Sequence, residues 1–251
     1  FNLMIDRLKN QQEKLLINER HEAWEHVARK LAHEIKNPLT PIQLTIDRLK
    51  NKYSKIVNDN DKSNFDEYLK TILKQIKQIE NLVNEFSDFA RMPKPILKQN
   101  NIINIIEENI ILLKELDKSI KIVFFKKDDE ILFFCDNEQI SRVIFNLIKN
   151  SIESIQEKSQ ENPDFIKKID IEISNRSDYI EIIIVDNGKG FGIFAKNLKD
   201  ILNPYFTTKK KGSGLGLSIV NKIINDHDGS IRFIPEKNGA KIILNFSKNV
   251  Y

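Results

Sequence analysis

The sequence predicts an α+β chain: an N-terminal helical hairpin that pairs into a dimeric four-helix bundle, followed by an α/β sandwich. Three observations predict it. Residues 1–92 contain no glycine, and only Pro38 and Pro41 interrupt them before Pro93, so the stretch reads as helix. Apolar residues within it recur at steps of three and four, the period of a helix with one buried face. Beyond Pro93–Lys94–Pro95 the pattern becomes mixed, with strand-like and helix-like runs grouped together, which fits a sheet covered by helices on one face.

Length and composition bound the rest. A chain of 251 residues holds one large or two ordinary domains, each able to bury a core. Hydrophobic residues at 40% and charged residues at 30% describe a soluble, globular composition. The net charge of +4 comes from 40 basic and 36 acidic residues, an excess too mild and too scattered to expect direct nucleic-acid binding. The single cysteine, Cys135, excludes an internal disulfide and suits a reducing compartment. No apolar run approaches the roughly 18 residues of a membrane helix, and no signal-peptide pattern is present. The chain starts at Phe1, so it is expected to be an excerpt of a longer protein.

Taken in order, Phe1, Met4, Leu8, Gln11 and Leu15 form a short coiled-coil register, giving a linker over residues 1–20. A helix is predicted from Glu22 to Leu49, with Val27, Leu31, Ile35, Leu39, Ile42, Ile46 and Leu49 as its apolar stripe. The polar segment Asn51–Asn64 is expected as a loop. A further helix carries Phe65, Leu69, Ile72, Ile76, Ile79, Val83, Phe86 and Ala90. Two helices with one stripe each bury them poorly alone, so a second copy is expected to complete a bundle over residues 21–92. Pro93 and Pro95 mark a hinge. A second domain over residues 96–251 is predicted to contain helices at Ile102–Leu116 and Asn137–Glu157 and near Leu215–Asn225. Its predicted strands are Ile120–Phe125, Ile169–Ser174 and Tyr179–Val185, with Ser230–Ile234 and Lys241–Phe246 as a closing hairpin.

His33 stands two residues from both Leu31 and Ile35, about 200° around the helix from each. It is therefore expected to face solvent. By itself such a histidine is an ordinary surface residue. An exposed imidazole is nevertheless a competent nucleophile near neutral pH, and adjacent Glu34 is placed to hold or deprotonate one ring nitrogen. Asn37 lies one turn further on the same face, and Pro38 and Pro41 are expected to kink the helix.

Four later segments carry nucleotide chemistry. Asn146 and Asn150 sit four apart on one helix face, where both amide oxygens can reach a magnesium ion. Asp186-Asn187-Gly188-Lys189-Gly190 follows a strand; a carboxylate there can accept from an adenine amino group, and Gly188 and Gly190 allow close backbone approach. Pro204-Tyr205-Phe206-Thr207-Thr208-Lys209 leads into Lys210 and Lys211, cations suited to phosphates. Gly212-Ser213-Gly214-Leu215-Gly216-Leu217-Ser218 opens a helix, and backbone N–H groups at such a start favour phosphate oxygens. Each segment alone is weak: paired asparagines read as a solvated face, the aspartate segment as a tight turn, the lysines as a loop.

Together they carry a resemblance. Ala23-Trp24, Val27-Ala28-Arg29 and the run His33-Glu34-Ile35-Lys36-Asn37-Pro38-Leu39-Thr40-Pro41-Ile42-Gln43-Leu44 resemble the phospho-acceptor motif of sensor histidine kinases of two-component systems, more closely the NtrY-like nitrogen-regulation type. The four later segments follow in that family's order, and the likeness extends over roughly residues 20–251. It implies an ATP-binding domain of the histidine-kinase, Hsp90 and gyrase type. The implied chemistry is ATP-dependent autophosphorylation of His33, then phosphoryl transfer to an aspartate of a response regulator, with phosphatase activity supported by Asn37. The implied cofactors are ATP and Mg²⁺, the metal on Asn146 and Asn150. Asp186, Gly188, Gly190, Thr208, Lys209, Gly212, Gly214, Leu215, Gly216 and Leu217 would contact the nucleotide.

The hydrolysing relatives of that fold place a glutamate one turn before the metal-binding asparagine, where this chain has Asn146. An amide cannot act as the base for water, so the resemblance favours kinase over ATPase. The lid departs from the family pattern at Phe194-Ala195-Lys196-Asn197. The implied partners are a second copy and an NtrX-like response regulator. The implied location is the cytoplasmic portion of a protein anchored in the bacterial inner membrane by upstream segments. His21, His26 and His227 match no catalytic position and read as ordinary side chains.

Overall fold

The computed structural model describes residues 30–248, apart from residues 55, 91, 163, 192–197, 199, 204, 205 and 208–213. The linker expected over residues 1–20, and His21 and His26, lie outside the described residues. The chain divides into two compact units, Phe1–Pro93 and Lys94–Tyr251.

The first unit is a helical hairpin of α1 (30–53) and α2 (Asp59–Ala90). The connection is shorter than the loop expected at Asn51–Asn64. Lysine, aspartate and serine do not break a helix as glycine and proline do, so polarity alone overstated the loop. Helix α1 continues through Pro38 and Pro41. Neither proline has an N–H, so the bonds that would reach the Glu34 and Asn37 carbonyls cannot form. The turn after them is tied instead by Thr45 Oγ1, which donates to Pro41 O at 2.8 Å.

Packing splits each apolar stripe into two seams, each repeating every seven residues and offset from the other by three or four. Ala32 and Ile46 on α1 and Leu69, Ile76 and Val83 on α2 are buried. Leu39, Phe65 and Leu73 pack against the cluster of Ile46, Leu69 and Ile76. The second seam remains open: Ile35 (40%), Ile42 (46%), Leu49 (40%), Ile72 (44%) and Ile79 (45%) keep nearly half their surface in water. Ala32 is buried although it is too small to read as part of a stripe.

The second unit holds β1 (Lys98–Asn101), α3 (Ile102–Lys114), β2 (Lys121–Phe125), β3 (Leu132–Cys135), α4 (Asn137–Ser159), β4 (Lys168–Asn175), β5 (Tyr179–Asp186), a 3₁₀ turn (Asp200–Leu202), α5 (Gly216–Asp226), β6 (Gly229–Glu236) and β7 (Gly239–Ser247). Five strands form one sheet in the order β2-β4-β5-β7-β6, parallel only between β2 and β4. Ile169, Ile171 and Ile173 on β4 and Ile180, Ile182 and Ile184 on β5 alternate into the core, as the two-residue period of a strand requires. Helix α4 packs on β4 and β5, α5 on β6, and α3 on α4.

Strands β1 and β3 form a separate antiparallel ribbon that the sequence does not announce. Lys-Gln-Asn-Asn has no strand signature. Its backbone pairing is supplemented by Asn100 Nδ2, which donates to Cys135 O at 2.9 Å. Asn101 caps α3 and Asp136 caps α4, each with a side-chain oxygen accepting from the first turn.

Candidate functional site

In the hairpin, His33, Glu34 and Asn37 are all exposed on α1. The His33 side chain lies on the solvent side of α1, about 100° around the helix from buried Ala32. This is the orientation that its offset from Leu31 and Ile35 predicts.

In the second unit the candidate residues converge on α4. Leu147 and Ile148 are buried in the core, which leaves Asn146 and Asn150 half-buried on the adjoining face. Asn146 Nδ2 donates to Arg142 O at 2.9 Å. A Cβ at Gly216 would lie 3.5 Å from Asn146 Oδ1, so the amide oxygen faces the start of α5. The asparagine motif and the glycine-rich motif, some seventy residues apart in the chain, thus abut.

Asp186 ends β5 and is 4% exposed. Its Oδ2 accepts from Ser151 Oγ at 3.0 Å and its Oδ1 from the Gly188 N–H at 2.9 Å. Burial pushes the carboxyl upward; the N–H of Gly188, the Ser151 hydroxyl, the Ala240 N–H and the Lys158 charge pull the other way. The turn has no space for side chains at its glycines. A Cβ at Gly188 would come within 2.8 Å of α4 main chain at Ser154. Gly190, at φ +68°, faces Gly239 O, and Gly239, at φ +128°, packs against Asp186 O.

Gly214 adopts φ +72° two residues before α5, next to the capping position Leu215. Leu215 is buried and anchors the helix start, with its carbonyl accepting from Ser218 Oγ at 2.8 Å. Gly216 and Leu217 are half-buried. Thr208, Lys209 and Gly212, with Lys210 and Lys211, lie outside the described residues.

Sequence reasoning missed Ser151, Ser154, Lys158 and Gly239. Their only signal was position: the first three share a face of α4 at steps of three and four, and Gly239 opens the last strand. His227 is a buried side chain that ties two helices together. It is 5% exposed, its Nδ1–H donates to Ile223 O at 2.8 Å, and its Nε2 accepts from the Asp136 N–H at 3.0 Å. The ring joins the end of α5 to the start of α4. Cys135 is buried, and burial pushes its thiol up to about 11, so it is no nucleophile.

The donor set suits a magnesium nucleotide. Magnesium takes one or two protein oxygens plus phosphates rather than an all-protein cage, and the Asn146 and Asn150 amides offer that. A buried carboxylate at the end of a strand suits the amino group of a base, while the glycines beside it serve close packing of the turn on α4 and on β7.

Residues 23–95 match the His Kinase A (phospho-acceptor) domain, and residues 135–249 match the histidine kinase-, DNA gyrase B- and HSP90-like ATPase family. An NtrY-like sensor histidine kinase of Rickettsia prowazekii (strain Madrid E) is 40% identical over 247 residues, covering 98% of this chain and 40% of that protein. The nitrogen regulation protein NtrY of Azorhizobium caulinodans is 40% identical over 238 residues, covering 92% of this chain and 29% of that protein. The chain therefore spans less than half the length of these relatives. Among solved structures, the catalytic domain of histidine kinase ThkA is similar at 27% identity and TM-score 0.53, over 61% of this chain and 95% of that one. ThkA in complex with the response regulator TrrA is similar at 25% identity and TM-score 0.64, over 97% of this chain and 67% of that one. With its helical hairpin, its ATPase-type sheet and these relatives, the chain belongs to the sensor histidine kinases of two-component systems.

Proposed function

We propose that the chain is an ATP-dependent protein-histidine kinase that phosphorylates His33 and passes the phosphoryl group to an aspartate of a response regulator. The observation that carries this reading is the convergence of Asn146, Asp186 and Gly216 around α4, in a chain that also exposes His33 on a helix. A ring nitrogen of His33 attacks the γ-phosphorus in line, the bond to the ADP oxygen breaks, and the ring proton leaves toward Glu34. Such transfer needs positioning and charge neutralisation more than covalent help. Mg²⁺ on Asn146 and Asn150 supplies that neutralisation when bound. Thr208, Lys209, Gly212, Gly214, Leu215, Gly216 and Leu217 are assigned to the phosphates, and Asp186, Gly188 and Gly190 to the base. With an amide at position 146, no carboxylate there activates water, and the γ-phosphoryl is kept for His33.

The partners follow the same reading. The open seam of Ile35, Ile42, Leu49, Ile72 and Ile79 supports a homodimer in which residues 21–92 form a four-helix bundle and residues 96–251 the catalytic domain. The likeness to ThkA, solved with a response regulator, supports transfer to such a partner, and the NtrY likeness an NtrX-like one. Asn37 is assigned to dephosphorylation of that partner. The likeness also supports the cytoplasmic part of a protein anchored in the inner membrane; among the described residues no helix is long and apolar enough to cross a membrane.

The test is incubation with Mg²⁺ and γ-labelled ATP beside His33→Ala and Asn150→Ala. Acid-labile, alkali-stable label on the wild type alone is expected. Label that persists on His33→Ala, or steady phosphate release without His33, overturns the assignment.

A further inference from the structure

The Asp186 turn is held from below by one face of α4. Ser151, Ser154 and Lys158 lie at steps of three and four and so project together. Ser151 Oγ donates to Asp186 Oδ2 at 3.0 Å, and Ser154 Oγ accepts from the Lys189 N–H at 3.0 Å. Lys158 Nζ donates to two main-chain carbonyls, Asn187 O at 2.8 Å and Gly188 O at 3.0 Å. The same ammonium stands 4.8 Å over the Phe165 ring, a contact that favours a cation.

Asn187 O and the Gly188 N–H belong to one peptide unit, which is planar and carries them on opposite sides. Lys158 takes the oxygen end, and Asp186 Oδ1 takes the N–H end at 2.9 Å. The peptide is thereby gripped at both ends, and its orientation sets that of the carboxylate. Hydrogen bonds from a charged donor are worth roughly twice neutral ones. Gly188 cannot resist rotation through a side chain of its own, so the grip adds to the close packing of Gly188 on α4 and of Gly239 on Asp186 O in fixing this peptide.

We propose that Lys158 is a positioning residue of the nucleotide site that enforces selection of adenine over guanine by locking the 187–188 peptide. The inference rests on the reading that Asp186 receives the nucleobase. Adenine presents an amino donor where guanine presents a carbonyl oxygen. A rigid carboxylate accepts from the first and repels the second, whereas a turn free to rotate can offer the Gly188 N–H to guanine instead. Lys158 touches main chain and not substrate, so its loss acts through the turn. The positive charge also favours the ionised form of Asp186, the form that accepts.

The test uses the full chain with Mg²⁺ and either ATP or GTP, measuring binding and histidine phosphorylation for Lys158→Met, Lys158→Gln and Lys158→Arg beside Asp186→Asn. In Lys158→Met the KM for ATP is expected to rise about tenfold, with kcat at saturation changed less than about twofold. The preference for ATP over GTP should fall about tenfold, equivalent to roughly 1.4 kcal/mol. Lys158→Gln, which keeps donors without charge, should fall between, and Lys158→Arg should restore most of the preference. A wild-type ATP/GTP preference in both Lys158→Met and Lys158→Gln overturns the proposal, even if ATP affinity drops, because a merely structural lysine weakens both nucleotides equally. Unchanged ATP binding in Asp186→Asn instead overturns the underlying assignment of the turn to the base, and the proposal with it.

Discussion

The Ser151 hydroxyl donates a 3.0 Å hydrogen bond to Oδ2 of Asp186, so the helix that carries both asparagines also orients the carboxylate at the end of β5. This links two parts of the site directly. Burial pushes the Asp186 carboxyl up, and Ser151 is one of the groups that counter it. Ser151→Ala should therefore raise it further. Nucleobase recognition needs the ionised form, so ATP binding should fail at a higher pH than in the wild type as the solution is acidified. At neutral pH the variant should bind ATP roughly fivefold more weakly, the effect of about 1 kcal/mol for one hydrogen bond. Titration calorimetry across pH 5 to 8 reads both; a superimposable pH profile would contradict the relationship.

The same burial has a stability consequence. A carboxyl whose folded pKa is raised above its unfolded value costs stability at every pH above that range, because the folded state resists ionisation. Asp186→Asn should consequently melt at a higher temperature than the wild type at pH 7 without nucleotide, while losing ATP binding. The excess should shrink as the pH falls toward the ordinary aspartate value near 4. Calorimetry of the nucleotide-free pair at pH 7 and pH 4 checks the sign.

Asp117 shows the opposite linkage. It accepts from Ser119 Oγ and N, from Gln156 Nε2 at 3.2 Å and from Lys167 Nζ at 3.3 Å. These donors, led by the Ser119 hydroxyl, outweigh the burial that pushes upward and lower its pKa from 3.8 to about 2. The resulting stability is present above the unfolded value and lost as the pH falls from about 4 through about 2. After allowance for solvent screening it amounts to about 2 kcal/mol at most. Asp117→Asn should lower stability at pH 7 and flatten its dependence in that acid window, as urea unfolding would reveal.

Asp228 is the one non-glycine residue at positive φ among the described residues, at +51°, directly after the His227 that ends α5. It occupies the position where helices commonly place glycine. Its side chain is exposed, so Asp228→Gly should relieve strain without opening a cavity. Stability should rise by about 0.5–1 kcal/mol, measured by chemical denaturation, with nucleotide affinity unchanged.

The open seam of the hairpin makes a separate prediction. Ile42→Asp with Ile79→Glu places charges on residues that are 46% and 45% exposed in the single chain. The hairpin core of Ile46, Leu69 and Ile76 is untouched, so the helix content should persist while the dimer dissociates. Sedimentation should show a monomer with an undiminished helical signal; a dimer that survives both charges would rule out this seam as the interface.

How much was legible in advance differs between the parts. The paired asparagines, the aspartate turn and the glycine-rich helix start are each a local pattern tied to one element, weak alone, and they were legible through their order and the family resemblance that they carry together. Ala32, Ser154 and Lys158 were not, because small or polar residues acquire meaning only from what packs against them. Lys-Gln-Asn-Asn becomes strand β1 only because Leu132–Cys135 is there to pair with it. The Asn51–Asn64 segment misled for the same reason, since composition marks exposure more reliably than it marks a break in the backbone.

By itself, then, the sequence determined the helical hairpin, the alternating strands of the sheet, and the chemical types available to the site. Helix and strand periods are properties of neighbouring residues along one chain, so no folding need be known to see them. Only the tertiary structure decided which half of each stripe is buried within the hairpin. Only it brought Asn146 against Gly216, Ser151 against Asp186, and Lys158 against the 187–188 peptide. Those meetings depend on how α4 docks on the sheet and on α5, and that docking is set by the summed packing of many buried side chains rather than by any local pattern.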